Sequence, residues 1–200
     1  MTFQQYKYLV MSDLYRIEGS ISIARLLWHI LLGESYKFNF WMRTTLFFRK
    51  NIVLKYSLFP FARAILRHYK YKLGISIPHT TDIGSGFFIG HYGDIVVHGY
   101  SKIGKNCNIS QGVTLGQANR GRNKGYPVLG DNVYIGPGAK IIGAVKVGNN
   151  VAIGANCVVT RDVPDNAVVV GVPGKVISLE GAEGYVNRTD YDRVISPIKP

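Results

Sequence analysis

The sequence predicts a mainly-β chain: a triangular solenoid of short parallel strands from Gly74 onward, preceded by a small α-helical region. Three observations carry this. Aliphatic residues recur at every sixth position from Ile77 to Val159. Glycine is confined to Gly19 and Gly33 before residue 74 and becomes frequent after it. The first 73 residues instead place apolar side chains at helical spacing.

In the N-terminal region, Ile23, Leu26, Leu27, Ile30 and Leu31 fall three and four residues apart, the stripe of an amphipathic helix. A second run, from Phe40 to about Lys72, mixes Trp41, Phe47, Phe48, Phe59 and Phe61 with Arg43, Arg49, Lys50, Lys55, Arg63, Arg67, Lys70 and Lys72. Pro60 should kink or split it, because proline lacks the amide that a helix interior needs. Two readings of this face stay open. Its long cations lie over apolar surface as a helical cap, or they rest with the aromatics on anionic lipid.

From Gly74 the repeat takes over. Ile77, Ile83, Ile89, Ile95, Ile103, Ile109, Leu115, Leu129, Ile135, Ile141, Val147, Ile153 and Val159 follow one another, and glycine comes directly after eight of these thirteen. A period of six matches neither the helix nor simple strand alternation. It matches a three-sided coil in which each hexad supplies one strand and one corner. Two breaks are read: two surplus residues between Ile95 and Ile103, and eight between Leu115 and Leu129, the latter forming a loop over 117–127. Open solenoid ends expose strand edges, so residues 1–73 and the tail, 178–200, are the expected caps of a repeat body at 74–177.

Composition narrows the function. The chain is 46% hydrophobic and 18% charged, which excludes a disordered or coiled-coil protein. Its net charge of +12 is lopsided: residues 1–75 carry 12 Lys or Arg against 3 Asp or Glu, whereas 76–200 carry 12 against 9. A nucleic-acid partner for the whole chain is therefore not expected. Cys107 and Cys157, fifty residues apart, make neither a disulfide scaffold nor a cysteine zinc site. No signal peptide is read in the first ten residues, and the longest apolar stretch, Ile21 to Leu32, is too short to span a bilayer.

The run of hexads, FIGHYGDIVVHGYSKIGKNCNISQGVTLG over 88–116, VVTRDVP over 158–164 and GVPGKVI over 171–177 resemble the hexapeptide-repeat acyltransferases. They are most similar to the branch holding serine O-acetyltransferases and the sugar O-acetyltransferases of capsule and lipopolysaccharide. The resemblance implies a left-handed parallel β-helix, acetyl-CoA as donor, no metal, and a homotrimer with active sites between subunits. Handedness comes from the resemblance alone, since general crossover rules favour the opposite hand.

By resemblance, His91 takes the place of the catalytic base, and transfer from a thioester to a hydroxyl needs such a base. Asp94, three residues on, would orient its imidazole or bind the acceptor. Assigning hexads in rotation puts Ile89, Ile109, Ile135 and Ile153 on one face, so His91, Gln111, Pro137 and Ala155 should form one column. His91 and Ala155 would then lie about 14 Å apart at ~4.8 Å per strand, the reach of a pantetheine arm. Pro137, Ala155, Thr160, Arg161 and Lys175 are the implied coenzyme A contacts, and His98, Gln111 and Tyr126 the acceptor contacts. Loop cations Arg120, Arg122 and Lys124 either meet phosphate over a neighbouring subunit's site or form a bland surface excursion.

Serine O-acetyltransferases carry an aspartate fifteen residues before the histidine, another directly before it, and an arginine–histidine pair for the amino-acid carboxylate. Here these positions hold Ser76, Gly90, and Gly125 with Tyr126. The expectation is therefore a carbohydrate acceptor, in surface-polysaccharide biosynthesis, with serine as the alternative. A zinc hydratase of this fold would need three stacked histidines, which His79, His91 and His98 do not supply. A non-enzymatic scaffold with a docking module is the remaining rival. The expected location is the cytoplasm, with peripheral membrane contact through the basic N-terminal helices.

Overall fold

The computed structural model describes residues 1–195. Five helices come first: α1 (Phe3–Glu18), α2 (Ile23–Leu31), α3 (Tyr36–Lys50), α4 (Ile52–Ser57) and α5 (Phe59–Leu73). Their ends follow from side-chain chemistry. Thr2 and Gln5 form a reciprocal capping box at the start of α1, and Ser22 caps α2. Pro60 does not kink a long helix but sits in the first turn of α5, where its missing amide costs nothing. Gly74, with φ of 62°, ends α5 in the left-handed conformation.

The solenoid then winds through three parallel faces. The first face holds Ile75–Ser76, Ile95–Val97, Thr114–Gly116, Lys140–Ile142 and Val158–Val159. The second holds Asp82–Ile83, Lys102–Ile103, Val128–Leu129 and Lys146–Val147. The third holds Phe88–Ile89, Asn108–Ile109, Tyr134–Ile135, Ala152–Ile153 and Val168–Val170, closed by antiparallel Lys175–Ser178. The repeat aliphatics point inward and are buried in one continuous core.

Strand register corrects the expected position of the first break. Val97 pairs with Leu115, while Ile95 pairs with Ile75. The repeat aliphatic of this coil is thus Val97, and the two surplus residues lie between Ile89 and Val97, not between Ile95 and Ile103. The cause is that a hexad turns two residues inward, the aliphatic and the one two places before it. Ile95 fills the second slot, which Val113, Ala139 and Cys157 fill on later coils, all buried. An isoleucine there imitates the repeat residue. His98, by the same register, is an ordinary corner residue whose amide donates to the Leu115 carbonyl at 2.9 Å.

Corners are shaped by residues that tolerate positive φ. Asn106, Asn132, Asn150 and Asn166 line the corner between second and third faces with φ of 54–61°. Their amides bond along the axis, Asn106 to Asn132 at 2.9 Å and Asn150 to Asn166 at 2.8 Å.

The helical layer is locked onto the first coils by buried polar contacts. Asp13 and Arg43 pair at 3.0 Å; Asp13 also accepts from the Phe87 amide at 2.8 Å, and Arg43 donates to the carbonyls of Ile83 and Gly84. Arg16 reaches Asn108 and Asn39 donates to the Phe87 carbonyl. The tail runs back along the coil, stacks Tyr185 on Tyr134, and places Tyr191 against Ser85 and Tyr15 before a short α6 (Asp192–Ile195). Residues 196–200 of the expected tail lie outside the described residues. No helix among the described residues is long and apolar enough to cross a membrane.

Candidate active site

Two rims of the prism carry the candidate residues, one on each side of the first face. The rim between third and first faces is regular on its later coils. The Gly138 amide donates to the Gln111 carbonyl at 2.9 Å and the Asn156 amide to the Pro137 carbonyl at 2.8 Å, so Gln111, Pro137 and Ala155 form a column. On the coil before, the Gly112 amide donates to Gly93 at 2.8 Å, and Asp94 takes the left-handed φ (51°) that Gly112, Gly138 and Asn156 take above it. The member of the column is therefore Gly93. His91 and Tyr92 are the two surplus residues, looped out of the rim and exposed. Counting from Ile89 aligned His91 with Gln111; the ladder shows that the chain bulges immediately after Gly90 and rejoins at Gly93. The bulge leaves the His91 imidazole exposed to solvent.

Asp94 is also exposed, and no hydrogen bond joins it to His91 among the described residues. Ser76 lies two residues beyond Gly74, whose carbonyl accepts from Ile95 at 3.0 Å, so the position where serine O-acetyltransferases carry aspartate does abut this corner. Its serine cannot be an anion.

Between the rims, the outward positions of the first face stack as Ser76, Val96, Thr114, Lys140 and Val158. Lys140 stands out as a cation in an otherwise neutral column. Its ammonium donates to the Gly112 carbonyl and, at 3.1 Å, to Thr114 Oγ1, which holds it one rung from Asp94. Sequence reasoning passed over Lys140; the signal was a lysine directly after the small residue Ala139, where the outward side chain meets this rim.

The rim between first and second faces gathers aromatics and the loop. His98 stacks on Tyr126 with ring centres 4.5 Å apart, and Tyr100 meets Tyr126 edge-on at 5.2 Å. His98 Nδ1 accepts the Tyr100 amide at 3.2 Å, so its neutral form carries the proton on Nε2. Loop 117–127 closes through an Ala118–Gly125 bridge. It lies along its own solenoid, with the Asn123 carbonyl accepting from Ala144 at 2.9 Å and its amide donating to Thr160 at 2.6 Å. Arg122, Asn123, Ala144, Thr160, Arg161 and Asp162 thereby line an open cleft of about 880 Å3. Thr160, Arg161 and Lys175 share a smaller one of about 180 Å3 at the end of the coil. The structure thus brings Thr160, Arg161 and Lys175 together, and sets Pro137 and Ala155 apart from Arg122 across the first face.

The remaining reactive groups are not placed for catalysis. Burial pushes the Cys107 thiol up to about 12, and Cys157 is buried as well. Burial, with Arg49 and Arg63 nearby, lowers His79 to about 4. No group of three or more His, Cys, Asp or Glu that could hold a metal ion occurs among the described residues.

A family model described as bacterial transferase hexapeptide (six repeats) matches residues 126–161. The chain belongs to the hexapeptide-repeat transferase family. A Staphylococcus aureus serine acetyltransferase is 41% identical over 138 residues, which are 68% of this chain and 64% of that protein. The chain spans less than two thirds of that relative's length. Among solved structures, the Brucella abortus serine acetyltransferase in complex with coenzyme A superposes with a TM-score of 0.72 at 25% identity, covering 88% of this chain and 69% of that one. The Neisseria gonorrhoeae serine acetyltransferase in complex with serine gives a TM-score of 0.68 at 26% identity, covering 88% and 70%. The coil of this family member is the left-handed parallel β-helix.

These similarities overturn the expectation of a carbohydrate acceptor and of surface-polysaccharide biosynthesis, because the relatives are serine acetyltransferases. The reasoning behind it counted charge at four sequence positions. It did not see that folding carries the Lys140 ammonium back to the Gly112 carbonyl, one rung from that of Asp94.

Proposed function

We propose that the protein transfers an acetyl group from acetyl-CoA to the hydroxyl of L-serine, with His91 as general base. The observation that carries this is the exposed imidazole on a two-residue bulge of an otherwise regular solenoid, in a chain 41% identical to a serine acetyltransferase.

In the reaction, His91 takes the hydroxyl proton as the serine oxygen attacks the thioester carbonyl. The tetrahedral oxyanion is met by backbone amides of the glycine-rich rim. Collapse breaks the C–S bond, and the leaving thiolate recovers the proton from the imidazolium, giving O-acetylserine and free coenzyme A. The pantetheine arm runs along the rim past Pro137 to Ala155, three strand spacings or about 14 Å from the His91 corner. Thr160, Arg161 and Lys175, gathered at the last coil on the other side of the first face, would take the nucleotide phosphates there. Lys140 and Asp94 face the carboxylate and ammonium of the acceptor, in place of the charged residues missing at Gly125, Tyr126 and Gly90. Gln111, His98 and Tyr126 complete the acceptor pocket. Because His91 and the aromatic rim flank opposite sides of the first face, a homotrimer that sets one copy's aromatic rim against the next copy's histidine would enclose the thioester. The proposed location is the cytoplasm, where acetyl-CoA is made.

The test is thiol release from acetyl-CoA with and without L-serine. Serine-dependent release is expected, lowered 10²- to 10⁴-fold by His91→Ala with little change in KM for acetyl-CoA. Release that ignores serine refutes the acceptor; unchanged turnover of the variant refutes the base.

A further inference from the structure

We propose that α4 and the start of α5 form a docking surface for an anionic lipid membrane. The inference is independent of the acetyl-transfer reading.

Helix α4 has no buried residue. Its apolar side chains Ile52, Val53 and Tyr56 are 78%, 72% and 78% exposed, and Phe61 at the start of α5 is 66% exposed. Asn51 caps α4 by accepting from the amides of Val53 and Leu54, and so holds this apolar tip folded in water without a partner. Single exposed apolar residues are ordinary, but a whole helix without a buried face is not.

Charge identifies what covers it. Residues 35–81 contain nine Lys or Arg and no Asp or Glu. One of the nine, Arg43, is neutralised by buried Asp13. Lys55, Arg49, Lys50, Arg63 and Arg67 remain exposed around the apolar tip. Lys55 lies 5.4 Å from the ring centre of Tyr56, and Arg67 lies 5.6 Å from that of Tyr71, the pairing of cation and aromatic suited to a headgroup layer. A second copy of the chain on this face would bring like charges together. A nucleic acid would satisfy the cations and leave Ile52 and Val53 in water. An anionic bilayer satisfies both, taking the aliphatic tip among acyl chains and the cations at its phosphates.

The experiment is flotation of the full-length protein with vesicles of phosphatidylcholine alone or enriched in phosphatidylglycerol. Binding is expected only to the second, weakening as salt is raised. The Lys55→Glu/Arg63→Glu variant should reduce partitioning at least about thirtyfold, at roughly fivefold per surface charge. Ile52→Ser/Val53→Ser should also reduce it, and both variants should keep the circular dichroism spectrum of the parent. Three results overturn the proposal. The protein fails to float with either vesicle, or it floats equally well in both variants. Alternatively, the apolar variant abolishes a concentration-dependent self-association or an RNA gel shift while leaving flotation intact. None of these readouts depends on thiol release.

Discussion

Replacing Asp13 by alanine should destabilise the protein by about 3–5 kcal/mol, the cost of leaving one partner of a buried ion pair uncompensated. Asp13 is 1% and Arg43 3% exposed, so water cannot take the carboxylate's place. The substitution strips the guanidinium of its contacts at 3.0 and 3.3 Å and leaves the Phe87 amide without its acceptor at 2.8 Å. Arg43 would keep only the carbonyls of Ile83 and Gly84, at 2.7 and 2.6 Å. For a chain of this size each kcal/mol moves the midpoint by about 2–4 °C, so the melting temperature should drop by about 6–20 °C. Thermal melts followed by circular dichroism read this directly. Combining the change with Arg43→Met should recover part of the loss, because the orphaned charge disappears while the Phe87 amide stays unpaired. A drop of less than about 1 kcal/mol, or a double variant no better than the single one, would refute the argument that this pair docks the helices.

Lowering pH should weaken the fold through His79. The unfolded chain takes up a proton near pH 6.5 and the native state not until about 4, so the unfolded state binds more protons between them. Stability should fall from pH 6.5 to 4 and level off below, and His79→Gln should flatten that slope in denaturant titrations. At Gly104 an added Cβ would lie 2.4 Å from the Gly130 carbonyl oxygen, and neighbouring rungs cannot part to admit it. Gly104→Ala should cost about 1–3 kcal/mol, and a neutral outcome in chemical denaturation would contradict the rung spacing. Lys140→Met should raise KM for L-serine more than KM for acetyl-CoA; an equal effect on both would assign the lysine to the donor instead.

Much of the architecture could be read before folding, although not every residue of it. The period of six, the inward aliphatics and the helical start all appear in the structure. The misplaced break shows the limit. A hexad buries both its repeat aliphatic and the residue two before it, so Ile95 and Val97 satisfy the pattern equally well. Only hydrogen bonds to the next coil distinguish them. That choice moves the surplus pair from His98 to His91 and Tyr92. Lys140 likewise meets Gly112 across 28 residues of sequence, a contact that no local pattern announces.

By itself, the order of residues determined that this chain winds into three-sided coils and where its corners must turn. Burial pattern and left-handed backbone preference are local properties, renewed with every hexad. Tertiary structure alone decided which corner bulges, which carbonyl holds the Lys140 ammonium, and how Asp13, Arg43 and Tyr191 tie the ends to the first coil. Those contacts link positions many residues apart, and their energies exist only after the intervening chain has closed into turns.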